Sequence, residues 1–401
     1  MKIETSPLQR SIPLVVALCA MVAVFEGIDL QAPGVAAPRL MPALGLKPSE
    51  LGPFFSASTF GLMLGAAIGG RLSDRFGRRI SLLCSIALFG ALSILTGLAG
   101  SLDQLVLARF FTGVGLGGAL PNLLALVAEH SRGERRSAAV GVLYAGLPCG
   151  GALASLVSYF GADPSDWRTI FFVGGVLPLA ALLPLSRLLP AGSSDRQAEA
   201  APGGFIRAVF GEGRSLSSLL LWVGFFLALL AMYLLLNWLP SLLIGRGLSR
   251  PDAALVQMAF NLCGAGGSVA SGRLMDHGWR RWAVVAAVFS AAALVVMLVA
   301  SVPPALAVSL AIGGALGATV SGTQAILYGL APSVYPQRMR GTGVGVAVAV
   351  GRFGSAVGPL LAAALLGAGR TPADVLMALL PVLGVAGIAT VFLVLRMTTE
   401  D

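Results

Sequence analysis

The feature that constrains this chain most is its succession of long apolar runs. A helix rises about 1.5 Å per residue, so about 20 apolar residues cross the hydrocarbon core of a bilayer. Only 11% of the residues are charged, whereas soluble domains have about 25%. The sequence therefore predicts an all-α membrane protein. Twelve runs are long enough to span, near residues 12–37, 51–70, 80–100, 104–128, 137–160, 168–188, 215–244, 252–272, 282–301, 305–328, 341–366 and 373–396.

A polar stretch divides the twelve predicted spans into two sets of six. Residues 191–214 are rich in Gly, Ser and charged side chains, which predicts a cytoplasmic linker. We expect residues 1–190 and 215–401 to form two pseudo-symmetric six-helix bundles.

Short matching segments occur at corresponding places in the two sets. Residues 70–74 (GRLSD) follow the second span, and residues 272–276 (GRLMD) follow the eighth span, 202 residues later. The pair Val140-Gly141 opens the fifth span, and Val344-Gly345 opens the eleventh, 204 residues later. The two sets are therefore predicted to be parallel repeats, and repeats of this kind place a substrate site at their interface near the bilayer midplane.

The basic residues indicate which side each loop faces. Most of the 27 Lys and Arg residues fall in the termini and loops that share a side with the N-terminus. Because cytoplasmic loops carry an excess of Lys and Arg, we expect both termini to be cytoplasmic. The net charge of +9 is then a topology signal rather than a sign of nucleic-acid binding. The basic residues predicted on the opposite side are Arg39, Lys47, Arg168, Arg246, Arg250 and Arg370.

The sequence does not call for a metal or a cofactor. His130 and His277 are the only histidines, and both fall in predicted loops. Gly113, Gly115 and Gly118 have the spacing of a dinucleotide-binding loop, but no strand precedes them. We interpret them as glycines that let helices pack closely.

Two carboxylates lie inside the first apolar run. Glu26 and Asp29 are three residues apart, so they share one helix face, and Gly27 lies between them. One ionised group at a helix centre costs about 2.5–3.5 kcal/mol on insertion scales, so a functional role is expected. We expect this face to point into the protein or into a wet cavity, where the acids would exchange protons.

Arg109 lies about five residues into the fourth run. At 1.5 Å per residue its depth differs from that of Asp29 by only about 5 Å, which allows an ion pair. Opening the pair would let the carboxylate take up a proton, and this would couple proton movement to a conformational change. The alternative is a static pair that joins the first and fourth spans.

Arg352 lies about 11 residues into the eleventh run, and the second set has no central acid. A planar guanidinium suits the carboxylate of a substrate, whereas the alternative is a pair with Glu26 across the cavity. Tyr233 and Asn261 fall near the same depth, and Tyr144 lies nearer the cytoplasmic side. These three side chains would contact an aromatic substrate or form hydrogen bonds between helices.

Several of these segments resemble the major facilitator superfamily. Residues 70–79 resemble the signature of its loop between helices 2 and 3, and residues 109–117 look like its helix 4 motif, an arginine followed by spaced glycines. Residues 26–32 are similar to the acidic helix 1 motif of aromatic acid:proton symporters, although Glu26 stands where that motif usually has Asp. With residues 113–122 and 347–359, the chain looks closest to the 3-(3-hydroxyphenyl)propionate transporters.

The resemblance implies a proton-coupled carrier, not an enzyme, that works by alternating access. It would import an aromatic carboxylate of the hydroxyphenylpropionate type across a bacterial cytoplasmic membrane as a monomer. Asp74 would stabilise the outward-open state through a neighbouring helix end near Arg136. The residues implied to tune gating without touching substrate are Gly70, Asp74, Arg75, Gly77, Arg78 and Arg79.

Two other functions stay open. Residues 147–151 (LPCGG) partly resemble the antiporter motif of drug exporters, which favours a proton-driven exporter of drugs or metabolites. They lack the Gly-Pro pair of that motif, so we interpret them as a packing kink. An importer of a non-aromatic organic anion would also use Arg352 and would differ in the lining of its cavity.

Overall fold

The fold is helical throughout the part of the chain that the computed structural model describes, namely residues 7–131, 135–161, 163, 166–189, 210–211, 213–276, 280–337 and 339–400. Its first six long helices are α1 (Pro7–Leu44), α2 (Leu51–Phe76), α3 (Arg78–Leu98), α4 (Leu102–His130), α5 (Arg135–Phe160) and α6 (Trp167–Leu188). The others are α7 (Ser215–Gly245), α8 (Arg250–Asp276), α9 (Arg281–Ser301), α10 (Leu306–Val334), α11 (Arg340–Gly367), α12 (Pro372–Met377) and α13 (Leu379–Glu400).

Twelve helical spans in these ranges are long and apolar enough to cross a membrane, with α12 and the adjoining part of α13 forming the last, Pro372–Met397. The predicted all-α class and the number of spans are confirmed.

Helix α1 is longer than the apolar run that predicted it. The run was expected to end near residue 37, but α1 continues to Leu44, so Arg39 lies inside the helix and not in a loop. Arg39 is only 5% exposed. Its guanidinium donates to Ser158 Oγ at 3.0 Å and to the carbonyl of Gly161. The assignment of Arg39 to a loop was wrong because its guanidinium is hydrogen-bonded at the end of α5, which allows it to be buried within α1.

The GRLSD segment is not a loop either. Residues 70–76 continue α2, and the break falls at Gly77, whose φ of +83° favours glycine over other residues. Helix α3 then begins at Arg78. The related segment 272–276 likewise lies within α8. A single residue with positive φ is enough to separate α2 from α3, so the expected loop was wrong.

The described residues divide into two compact units. One draws on Met1–Leu46 and Ala57–Gln197, and the other on Lys47–Ser56 and Ala198–Asp401. Most of the predicted linker 191–214 lies outside the described residues, so the predicted bundle limits stay a prediction.

In the first unit, glycines bring helix backbones into contact. A methyl group on Gly113 of α4 would lie 2.0 Å from the carbonyl oxygen of Ser58 in α2. One on Gly150 of α5 would lie 2.1 Å from the carbonyl oxygen of Val24 in α1. Neither position has room for a side chain, which is how small residues pack helices in membranes. The interpretation of Gly113 as a packing residue is confirmed.

The second unit repeats these contacts. A methyl group on Gly317 of α10 would lie 1.9 Å from the carbonyl oxygen of Phe260 in α8, and one on Gly354 of α11 would lie 2.0 Å from that of Phe226 in α7. Phe260 and Phe226 lie 202 residues after their first-unit counterparts, and the two glycines lie 204 residues after theirs. The offsets equal those of the matching sequence segments, which confirms the internal repeat.

The second unit also includes the first residues of α2. Ser56 Oγ donates to the carbonyl of Ala356 in α11 at 2.7 Å. The rings of Phe55 and Trp238 meet edge to face with centroids 5.1 Å apart. Trp238 Nε1 in turn donates to the carbonyl of Pro359 at 3.1 Å. These contacts fix the start of α2 against α7 and α11.

Candidate functional site

The predicted ion pair between Asp29 and Arg109 is present in the first unit. Arg109 Nη1 donates to Asp29 Oδ2 at 2.8 Å, and Nη2 donates to the backbone carbonyl of Asp29 at 3.1 Å. Both side chains have an exposure of 0%. The second bond attaches Arg109 to the backbone of α1 as well as to the carboxylate.

The second carboxylate oxygen of Asp29 lies in a different environment. Asp29 Oδ1 has no hydrogen-bond partner among the described residues. A methyl group on Gly174 of α6 would lie 3.7 Å from this oxygen and 3.2 Å from Ser93 Oγ. Ser93 is itself occupied, because it donates to the carbonyl of Phe171 at 3.0 Å. The absence of a side chain at Gly174 therefore leaves the free oxygen facing a narrow space between α1, α3 and α6.

Glu26 is also buried, with 2% of its surface exposed. The expectation that the acidic face avoids lipid is therefore confirmed for both carboxylates. Both side chains are also closed to solvent in this structure.

The packing of α1 on α5 holds the acidic segment in place. A methyl group on Gly27 would lie 2.1 Å from the carbonyl oxygen of Leu147, and one on Gly151 would lie 1.9 Å from Gln31 Nε2. The LPCGG segment therefore packs directly on the helix that carries Glu26 and Asp29. The packing part of its interpretation is confirmed, and the kink stays a prediction.

Arg352 and Tyr233 meet in the second unit. Arg352 Nη1 donates to the hydroxyl oxygen of Tyr233 at 2.7 Å. The two helices are close because Gly351 and Gly358 of α11 face α7: a methyl group on Gly358 would lie 2.3 Å from the carbonyl oxygen of Leu230. Arg352 is half-buried, and the Tyr233 hydroxyl accepts this bond through its oxygen.

Tyr328 of α10 is a neighbour that the sequence analysis missed. It interacts electrostatically with both Arg352 and Tyr233, and its ring meets that of Phe225 at a centroid distance of 5.0 Å. Gln324 and Tyr328 lie four residues apart in an apolar span, a spacing that could have indicated a polar helix face here but not its partners.

The other two predicted substrate residues are Asn261 and Tyr144. Asn261 is 3% exposed, and its Nδ2 donates to the carbonyl of Gln257 in its own helix at 3.0 Å. Tyr144 belongs to the first unit and is 45% exposed. The structure therefore assembles Arg352 with Tyr233 and leaves roles for Asn261 and Tyr144 as predictions.

The signature around Gly77 forms a different ion pair from the expected one. Asp74 is exposed, and the side chain of Arg136 lies outside the described residues. Arg78 instead pairs with Glu129 at the end of α4, a residue that the sequence analysis did not select. This pair joins the start of α3 to the end of α4.

The remaining signature residues lie at the same end of α2 and α3. Arg75 is exposed, with its guanidinium 5.3 Å from the centroid of the Phe76 ring. Arg79 is half-buried, and Gly70 has open space around its Cα. The proposed tuning of gating by these residues stays a prediction.

Comparison with known proteins identifies a family for this chain and finds relatives that align with it over nearly its whole length. The family model described as Major Facilitator Superfamily matches residues 19–359. The chain is 40% identical to the 3-(3-hydroxy-phenyl)propionate transporter of Escherichia coli over 96% of this chain and 94% of that protein. It is 32% identical to the gallate transporter of Pseudomonas putida over 92% of this chain and 88% of that protein.

A solved structure supports the fold. The crystal structure of the D-xylose-proton symporter is similar with a TM-score of 0.75 and 19% sequence identity, and the match covers 96% of both chains. At that identity the similarity concerns the fold alone.

Proposed function

Because this chain belongs to the Major Facilitator Superfamily, we propose that it is a proton-coupled importer of an aromatic carboxylate in a bacterial cytoplasmic membrane. The observation that carries the coupling is the fully buried pair of Asp29 and Arg109. The substrate class is supported by relatives named for 3-(3-hydroxy-phenyl)propionate and gallate. The carrier would act as a monomer with both termini cytoplasmic.

The substrate carboxylate would bind at Arg352. Guanidinium groups suit carboxylates because two parallel N–H groups match the two oxygens. In this structure Arg352 donates to the Tyr233 hydroxyl, so a bound carboxylate would accept from both side chains. The positive charge of Arg352 would then balance the negative charge of the bound acid.

The proton would be carried by Asp29, with Glu26 as a second acidic group on the same face. Release of the Asp29–Arg109 pair lets a carboxylate bind a proton, whereas the closed pair favours the ionised form. Alternating access would join the two events, since rocking of one repeat against the other exposes the midplane site to each side in turn. Transport in this scheme changes no covalent bond.

Accumulation in proteoliposomes tests this proposal. Wild-type protein with an imposed inward proton gradient is expected to concentrate 3-(3-hydroxyphenyl)propionate. Asp29→Asn cannot release a proton at this position, so it should lose gradient-driven accumulation while retaining exchange of labelled for unlabelled substrate. Asp103→Asn is the matched control, because Asp103 is exposed at the start of α4.

Two results would contradict the proposal. If Asp29→Asn accumulates substrate as wild type does, Asp29 is not the coupling group. If wild-type protein moves none of the aromatic acids tested, the proposed substrate class is wrong.

A further inference from the structure

Helix α10 presents a face that the proposed carboxylate site has not used. Tyr328 on this face interacts electrostatically with Arg352 and Tyr233, and it keeps 38% of its surface exposed. A guanidinium is costly in hydrocarbon, so the open side next to Arg352 faces water or protein rather than lipid.

The ring of Tyr328 is held in place from behind. Phe225 meets it edge to face, with an interplanar angle of 81°. Phe225 is itself 1% exposed and lies against Gly351, where an added methyl group would be 3.2 Å from the Phe225 Cβ. An aromatic ring that is fixed on one side and open on the other offers a stacking surface for a second ring.

Gln324 adds a polar group to the same face. It lies four residues before Tyr328 in α10, so the two side chains are neighbours on the helix surface. Its Nε2 is buried and has no hydrogen-bond partner among the described residues. A buried donor without a partner is unfavourable, and an oxygen atom of a ligand would satisfy it.

We propose that Tyr328 and Gln324 set the specificity of the Arg352 site for hydroxylated aromatic carboxylates. Tyr328 stacks against the ring of the substrate, and Gln324 Nε2 donates to the oxygen of a ring hydroxyl. Arg352 holds the carboxylate at the other end. This inference rests on the proposed function and specifies which part of the substrate each residue recognises.

Three related acids distinguish recognition of the aromatic ring from recognition of its hydroxyl group. They are 3-(3-hydroxyphenyl)propionate, 3-phenylpropionate, which lacks the hydroxyl, and 3-cyclohexylpropionate, which also lacks the aromatic ring. Binding of each acid to the purified full-length protein is measured by titration calorimetry. The informative quantities are the phenyl-to-cyclohexyl and hydroxyl-to-unsubstituted preferences of each variant.

Tyr328→Leu is expected to lower the phenyl-to-cyclohexyl preference by about 3- to 10-fold, the size of an aromatic pair. Tyr328→Phe keeps the ring and should keep that preference. Tyr328→Met is a second variant in case the leucine protein fails to fold. If removal of the ring weakens binding of the phenyl and cyclohexyl acids equally, Tyr328 only supports Arg352. If it weakens binding of neither acid, Tyr328 plays no part. Either result overturns the proposal.

Gln324→Leu should lower the preference for the hydroxylated acid by about 10-fold, the size of a typical hydrogen bond, and leave 3-phenylpropionate binding unchanged. An equal loss for both acids, or no loss, would overturn its assigned role. Phe392→Leu is the control, because Phe392 is 58% exposed on α13 and away from this face. Wild-type protein that binds none of the three acids would contradict the proposed function itself, which is a distinct result.

Discussion

The two halves of the chain share their backbone packing but not the charged groups inside their membrane spans. The contact of Gly150 with Val24 recurs 204 and 202 residues later as Gly354 with Phe226. The same offsets carry Asp29 to Ala231 and Arg109 to Gly313, so the second half has no counterpart of the buried ion pair.

The reverse holds for the arginine of the second half. Arg352 corresponds to Pro148, and Tyr233 corresponds to Gln31. The internal repeat therefore accounts for the helix packing that the two halves share, and each half carries different polar side chains within that packing. The closed pair of the first half and the half-buried arginine of the second support a division of tasks, with proton binding in one and carboxylate binding in the other.

The largest effect is expected from breaking the ion pair of the first half on one side only. Arg109→Met leaves the carboxylate of Asp29 buried without its partner, which should lower the free energy of unfolding by about 3–5 kcal/mol. The double variant Asp29→Leu with Arg109→Met gives this site an apolar pair, as in the second half, and should recover more than half of the loss. Denaturant titration of purified protein in mild detergent measures both.

This explanation of the difference between the two halves would be contradicted if the double variant were as unstable as Arg109→Met. The loss would then come from the packing of the arginine side chain and not from a stranded carboxylate. Arg370→Met is the control, because Arg370 is exposed after α11 and should change stability little.

Depth along a helix could be predicted from the sequence, but direction around the helix could not. The rise per residue placed Asp29 and Arg109 at similar depths, and they pair. The same reasoning placed Asn261 near the depth of Arg352, and it could not predict that the Asn261 amide donates to a carbonyl of its own helix. Tyr328 escaped notice for the same reason, since an isolated tyrosine in an apolar span carries no sign of which neighbour it meets.

The ends of the helices were the second feature that could not be predicted from the sequence. Hydrophobicity predicted the number of spans because length decides what crosses a bilayer. It did not predict that α1 reaches Leu44 or that residues 70–76 stay helical, because those ends depend on partners from other helices and on one glycine. The pairing of Arg78 with Glu129 likewise joins residues about 50 positions apart with no local pattern between them.

A smaller effect tests the shared scaffold. Gly113→Ala and Gly317→Ala each place a methyl group about 2 Å from a backbone oxygen, and each should destabilise by about 1–3 kcal/mol. Gly141 and Gly345 are also 204 residues apart, but an added methyl group at either meets no atom within 4 Å. Their alanine variants should be neutral or more stable by up to about 1 kcal/mol.

The measurement is the free energy of unfolding of the four variants in the same detergent. Equivalent losses at Gly113 and Gly317 would show that the repeat preserves the energetics of packing as well as its geometry. A loss at one position alone would mean that the two halves have diverged in rigidity.

The smallest effect concerns a polar chain that the second half lacks. Asn122 Nδ2 donates to Ser81 Oγ at 3.0 Å and to the carbonyl of Gly118 at 2.7 Å, and Ser81 Oγ donates to the carbonyl of Gly69 at 3.1 Å. The repeat offset carries Asn122 to Ile326, which is 1% exposed, so an apolar residue packs well at the equivalent place.

Asn122→Leu should therefore cost only about 1 kcal/mol, because Ser81 keeps its acceptor when the amide is lost. Thermal unfolding of this variant beside Arg109→Met ranks the two polar contacts of the first half. A loss at Asn122 as large as that at Arg109 would mean that stability depends on the whole polar interior of this half, and the ion pair could not then be singled out as its distinguishing feature.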